Sequence, residues 1–235
     1  MKVKIRIKRQ VNSNSSPYIQ NFVFECDGSE SVSVLLEKIN ASNELKDEQN
    51  YSVKKINWEC SCNQKKCGAC AMVINKIPRL ACNTFVHDVV GSGGVLSLEP
   101  LSKFPVVSDL VVDRSILYEN IKTLKLWLED ETKEAESQNM FRYQAAKCLM
   151  CGCCLEVCPN FYESGIFGGG AIVPVTFGVL NYMDLKKHKK EIRKAYLKRF
   201  YEGCGGSMAC RDICPAGVPL EELLVRTNSL VIWRK

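Results

Sequence analysis

The sequence predicts an α+β protein of two domains, a β-rich one over residues 1–104 and an all-α one over residues 105–235. Three observations carry this reading. Charged and apolar residues alternate strictly at the start of the chain. Apolar residues recur at helical spacing after Ser108. The fourteen cysteines fall into groups whose spacing differs between the two halves.

KVKIRIK (2–8) puts Val3, Ile5 and Ile7 on one face, as a half-buried strand requires. NSNSSP (12–17) is a turn, and IQNFVFE (19–25) is its antiparallel partner strand. Ser31 can cap a short helix over SVSVLLEKIN. CAMVINKIPRLAC (70–82) gives two short strands around an Asn75-Lys76 turn, and VLSLEP (95–100) gives another. A small mixed sheet with one helix packed across it accounts for these elements. In EPLSKFPV (99–106), Pro100 and Pro105 break any continuing element and mark the domain junction. Beyond it, Ile116, Leu117, Ile121, Leu124 and Leu128 form the apolar face of a helix. The acidic run Glu129–Glu136 is expected as an exposed helix end or loop, and residues 183–201 as a second long helix.

With 46% hydrophobic and 25% charged residues, the composition is that of a soluble globular protein. MKVKIRIKRQ lacks the apolar core of a signal peptide. In a reducing cytosol the cysteines stay free thiols, so their density points to metal rather than disulfides. AIVPVTFGVL (171–180) is about half the length a bilayer span needs and contains Pro174. The net charge of +6 comes largely from LKKHKKEIRKAYLKR (185–199). A solvated helix face explains that run most simply; contact with anionic lipid or a partner's acidic surface is the functional alternative. Sparse aromatic interleaving and the cysteine spacing argue against nucleic acid as a partner.

The first cysteine constellation is Cys62-x4-Cys67-x2-Cys70-x11-Cys82, the plant-type ferredoxin spacing for a [2Fe–2S] cluster. Four thiolates serve two irons, and Gly68 lets the backbone approach the sulfides. Cys60 would stretch the first spacing to x6 and is read as a neighbour rather than a ligand. Structural zinc also takes four thiolates, but the x4–x2 loop favours iron.

The second is Cys148-x2-Cys151-x2-Cys154-x3-Cys158-Pro159, the bacterial ferredoxin run, in which the last cysteine belongs to a second cluster. Cys148, Cys151 and Cys154 then need a thiolate from elsewhere. CGGSMACRDICP (204–215) nearly repeats the run, with Ser207 standing where Cys151 stands. Cys214, before Pro215, completes the first set as a [4Fe–4S] site. Cys158 joins Cys204 and Cys210. A serine hydroxyl is a poor ligand for cluster iron, so Ser207 marks a vacant fourth slot. A [3Fe–4S] cluster is expected there, ahead of a four-iron cluster with Ser207 or water as the last ligand. Cys153 and Cys26 are read as structural thiols.

On CNQKKCGACAMVINKIPRLAC, EPLSKFPVVSDLVVD, CLMCGCCLEVCP and CGGSMACRDICPAGVP, the chain resembles the iron–sulfur subunit family of succinate dehydrogenase and fumarate reductase over essentially its whole length. The resemblance implies an N-terminal plant-type ferredoxin-like β-grasp domain and a C-terminal bacterial ferredoxin-like domain. It implies a flavoprotein partner with covalent FAD, where succinate and fumarate interconvert, and a membrane anchor that binds quinone and often haem b. The chain is then a peripheral electron-transfer subunit on the cytoplasmic side of the inner membrane, serving respiration and the tricarboxylic acid cycle. No acid, base or nucleophile for dicarboxylate chemistry is evident; His87 and His188 are expected at the surface.

Many ubiquinone-linked members carry tryptophans just after this Cys-Pro. Here Pro159, Asn160, Phe161 and Tyr162 follow Cys158, which favours menaquinone and fumarate reduction. These four residues are the candidate quinone side, with Tyr162 as a possible donor to a quinone carbonyl or as simple packing around the cluster. Gly205, after Cys204, offers no side chain to a quinone or haem. Two rivals stand beside this reading: the iron–sulfur subunit of a soluble or thiol-linked fumarate reductase, and a zinc-stabilised interaction module.

Overall fold

The computed structural model describes residues 1–91, 93–125, 139–180 and 185–233. Strand β1 (Lys2–Arg9) turns Lys2, Lys4 and Arg6 outward and buries Val3, Ile5 and Ile7 completely. It pairs antiparallel with β2 (Tyr18–Glu25), Ile5 opposite Phe22. On its other side it runs parallel to β5 (Val95–Glu99), Ile5 opposite Leu96 and Ile7 opposite Leu98. Strand β3 (Ala71–Ile74) pairs antiparallel with both β5 and β4 (Ile77–Leu80). The sheet order is therefore β2-β1-β5-β3-β4, a mixed sheet with its parallel pair inside. Asn75 and Lys76, both at positive φ, make the β3–β4 turn.

Helix α1 (Val32–Ala41) starts where expected, with Ser31 Oγ accepting the Val34 N–H at 3.4 Å. Its Val32, Leu35, Leu36 and Ile39 join the core with the inner face of β1. A short helix, α2 (Val86–Val89), follows β4. This is the β-grasp arrangement of an α+β protein.

The chain divides into two compact units between Asp113 and Arg114, whereas the prolines placed the junction after residue 104. The reason is a hairpin that the sequence reading missed, β6 (Val106–Ser108) with β7 (Val111–Val112). At its turn sits Asp109, 2% exposed and paired with Arg9, itself 3% exposed, at 2.9 Å. Arg9 also donates to Gln20 Oε1 and to the carbonyls of Lys54 and Lys55. Asp109 accepts the N–H groups of Gln10 and Asn57. Asn40 of α1 brackets Ile56, donating to its carbonyl at 2.8 Å and accepting its N–H at 2.9 Å. Residues 54–57 lie in no strand, so side chains satisfy a backbone that the sheet does not. The first cysteine loop grows out of this clamped segment.

The second unit is helical. Helices α3 (Ser115–Leu124), α4 (Asn139–Ala146), α6 (Ile172–Leu180), α7 (Leu185–Arg199) and α9 (Leu220–Asn228) surround two four-residue helices, α5 (Cys153–Glu156) and α8 (Ala209–Asp212). A π-helical turn, Ser229–Trp233, extends α9. The apolar run at 171–180 becomes α6, with Phe177 fully buried and Pro174 in the first turn, where its missing N–H does no harm. Helix α7 buries Ile192 and Tyr196, one turn apart, Phe200 is buried just past its end, and the Tyr196 hydroxyl donates to Asn228 Oδ1. Burying each such ring contributes about 1.5–3 kcal/mol. Among the described residues no helix is long and apolar enough to cross a membrane. Leu128, the acidic run Glu129–Glu136, residues 183–184 of the second expected helix and the side chain of His188 lie outside the described residues.

Because both members of the Arg9–Asp109 pair are buried and fully hydrogen-bonded, removing one strands the other. Asp109→Ala is expected to lower the unfolding free energy of the first unit by about 3–5 kcal/mol in guanidinium titrations. A loss below about 1 kcal/mol would place the pair with ordinary surface ion pairs.

Candidate iron–sulfur centres

In the β-grasp unit the ligand loop runs from Cys60 to Cys70. Cys62 Sγ accepts the N–H groups of Gln64 and Lys66, each at 3.3 Å. Each donor amide follows a residue in the left-handed region, Asn63 (φ 49°) and Lys65 (φ 57°). Inverting alternate residues turns alternate N–H groups to one side and makes an anion-binding nest. These amides hold the Cys62 thiol down at about 7. Burial pushes Cys70 up to about 12. Gly68 takes φ 76° between Cys67 and Cys70, a conformation that suits glycine. Cys67 is exposed at the loop's edge. Cys60 is half-buried and donates to Asn63 Oδ1 at 2.9 Å.

The helical unit contains two neighbouring cavities. One is lined by Cys148, Cys151, Cys154 and Cys214. The other is lined by Cys158, Cys204, Cys210 and Ser207. Cys214 thus leaves its own repeat for the earlier one, and Cys158 does the reverse. Gly170 and Leu220 line both cavities and form the shared wall; the spacing of the cysteines gave no sign of either. A Cβ on Gly170 would stand 3.3 Å from Cys210 Sγ.

The two repeats match in backbone as well as sequence. Helix α5 and helix α8 occupy equivalent positions, each entered through a left-handed residue, Gly152 (φ 89°) and Met208 (φ 55°). Two residues earlier stand Met150 (φ 51°) and Gly206 (φ 68°), another equivalent pair. The turns that close each repeat also correspond, Cys158 N–H to Leu155 O and Cys214 N–H to Arg211 O. Ser207 therefore occupies the backbone site of Cys151 and differs from it in its side chain. It differs in setting too, since Cys151 is buried and Ser207 exposed.

Burial pushes Cys148 up to about 11 and raises Cys154 strongly. Cys151 is instead lowered to about 7, first by a hydrogen bond from Cys153, with the Arg114 guanidinium assisting. Cys153 is fully buried and is held protonated by that bond and by its burial. No carboxylate or imidazole among the described residues lines either cavity. Among the described residues no three His, Cys, Asp or Glu groups converge on a point as around a single metal ion. Thiolates around a cluster stand farther apart, because inorganic sulfides fill the interior. Soft donors and apolar walls fit iron–sulfur clusters, whose loading displaces the thiol protons.

Of the remaining candidates, Pro159 and Asn160 are exposed, and Asn160 Nδ2 donates to Gly203 O at 2.7 Å. Phe161 is buried, while Tyr162 is 61% exposed. A side chain at Gly205 would crowd Asn160, its Cβ 3.0 Å from Nδ2. Cys26 is buried in the first unit, away from any ligand loop in sequence. His87 is exposed and its Nδ1 lies 3.0 Å from Gly28 O.

A family model described as a 2Fe-2S iron–sulfur cluster binding domain matches residues 4–119, and one described as a 4Fe-4S dicluster domain matches residues 144–218. The succinate dehydrogenase iron–sulfur subunit of Bacillus subtilis is 31% identical over 239 residues, covering 96% of this chain and 91% of that protein. The fumarate reductase iron–sulfur subunit of Escherichia coli O6:H1 is 30% identical over 173 residues, 69% of each chain. In the Mycobacterium smegmatis Sdh1 complex in the apo form, a 22% identical chain shares the fold with a TM-score of 0.74, over 97% of this chain and 96% of that one. The chain belongs to the family of iron–sulfur subunits of succinate dehydrogenase and fumarate reductase.

Proposed function

We propose that this chain relays electrons between the FAD of a flavoprotein subunit and a membrane quinone, with menaquinol oxidation and fumarate reduction as its direction. The observation that carries the reading is the partition of the helical unit's ligand cysteines between two adjacent cavities. In this reading Cys62, Cys67, Cys70 and Cys82 hold a [2Fe–2S] cluster. Cys148, Cys151, Cys154 and Cys214 hold a [4Fe–4S] cluster. Cys158, Cys204 and Cys210 hold a [3Fe–4S] cluster, with the Ser207 slot vacant. When bound, these clusters supply one-electron carriers in series. The protein's own part is to fix the thiolates, keep water from the inner cavity and set the charge around each sulfur. The membrane anchor, with its quinone and haem b, belongs at the exposed Ser207 and Tyr162 of the helical unit, on the cytoplasmic side. Menaquinone is favoured because Asn160, Phe161 and Tyr162 follow Cys158-Pro159 without a tryptophan.

Three measurements test this. Low-temperature EPR of the oxidised, anaerobically purified chain is expected to show a three-iron signal that disappears in Ser207→Cys, because that substitution sets a thiol on the backbone site equivalent to Cys151. A parent without the signal refutes the three-iron assignment. Cys214→Ala is expected to remove the four-iron centre first and Cys158→Ala the three-iron centre; the reverse order would falsify the exchange between repeats. In the intact complex, turnover with menaquinol and fumarate is expected to exceed turnover with succinate and a ubiquinone analogue.

A further inference from the structure

The nest around Cys62 depends on two non-glycine residues holding a left-handed backbone, and only one of them is tethered by its side chain. Asn63 Oδ1 accepts from Cys60 Sγ at 2.9 Å, and Asn63 Nδ2 donates to Glu37 Oε1 on α1 at 3.0 Å. The peptide between Asn63 and Gln64 carries one of the two N–H groups on Cys62 Sγ. The orientation of that N–H therefore follows the backbone angles at residue 63. Asparagine enters the left-handed region more readily than most residues, but the loop is exposed at 63–67 and has no strand partner to hold it there.

We infer that Asn63 is a positioning residue of the two-iron centre: pinned between Glu37 and Cys60, it keeps the Gln64 amide aimed at Cys62 Sγ and so sets the potential and the lifetime of the cluster. N–H donors to a ligating sulfur spread its negative charge, which favours the more negative, reduced cluster and raises its potential. A loosened amide lowers the potential and opens the Cys62 corner to water. The Glu37 carboxylate acts in two opposed ways. Its charge disfavours an added electron, while its oxygen holds Asn63 in place. The inference rests on the [2Fe–2S] assignment of the proposed function.

The opposed effects give a test at constant charge. Glu37→Gln and Glu37→Ala remove the same charge from an exposed helix position, and only Gln retains an acceptor for Asn63 Nδ2. In EPR-monitored redox titrations of the full chain with its clusters, the two-iron midpoint of Glu37→Ala is expected below that of Glu37→Gln. Its cluster is also expected to be lost several-fold faster to an iron chelator. Asn63→Gly keeps the left-handed backbone accessible but removes both tethers, and its midpoint is expected below the parent's. The three-iron and four-iron signals are expected to be unchanged in all three. Equal midpoints and loss rates for the two Glu37 variants, or an unshifted Asn63→Gly, overturn the inference and leave the functional reading intact. A parent with no reduced two-iron signal overturns both.

Discussion

The helical unit is organised by an exchange. Each cysteine repeat keeps its first cysteines at one cavity and sends its last, the one before proline, to the other. Neither cavity is complete with one repeat alone, so α5 and α8 must lie side by side. Helices of four residues have no stability of their own, since a first hydrogen-bonded turn is already unfavourable. What holds them is their packing on each other, that of α8 on α9, and that of Cys154 and Cys210 on the helical core, where Phe177, Tyr196 and Leu223 are fully buried. Cluster loading adds to that stability, because ligand sets of this kind are not assembled in the unfolded chain.

One backbone device recurs at the three ligand loops. Asn63 and Lys65, Met150 and Gly152, and Gly206 and Met208 are pairs of left-handed residues separated by one position. Two of the six positions are glycine and one is asparagine; Lys65, Met150 and Met208 carry side chains that resist this conformation. Each such residue costs about 1–3 kcal/mol, which the surrounding structure must offset. At Cys62 the pairing turns two alternate amides, of Gln64 and Lys66, toward sulfur. It places N–H donors where negative charge gathers when a cluster is reduced.

Much of this was legible in the sequence because spacing is chemistry here. The alternation in β1, the Ser31 cap and the Asn75-Lys76 turn each rest on residues close together in the chain. Long-range pairing was invisible. Arg9 lies a hundred positions from Asp109, and one charge in KVKIRIKR looks like any other. The hairpin carrying Asp109 moved the domain junction for that reason. Asn40 and Ile56, which fix the start of the ligand loop, are joined by hydrogen bonds that no periodicity signals. Helices α5 and α8 are too short to show an apolar period, and methionine gives no warning of a left-handed backbone.

The distribution of exposure bears on what a relay must do. A carrier between two partners needs one centre that each partner can approach, and gains from an interior centre shielded from water and oxidants. In the β-grasp unit the ligand loop is exposed from Asn63 to Cys67. In the helical unit the Ser207 cavity reaches the surface at Gly205, Gly206 and Ser207. The cavity of Cys148, Cys151, Cys154 and Cys214 is different, because Cys151 replaces the exposed serine with a buried thiol and its neighbour Cys153 is fully enclosed. Ser207 is exposed where its equivalent Cys151 is buried, so one residue changes the setting of the two cavities on otherwise equivalent backbones.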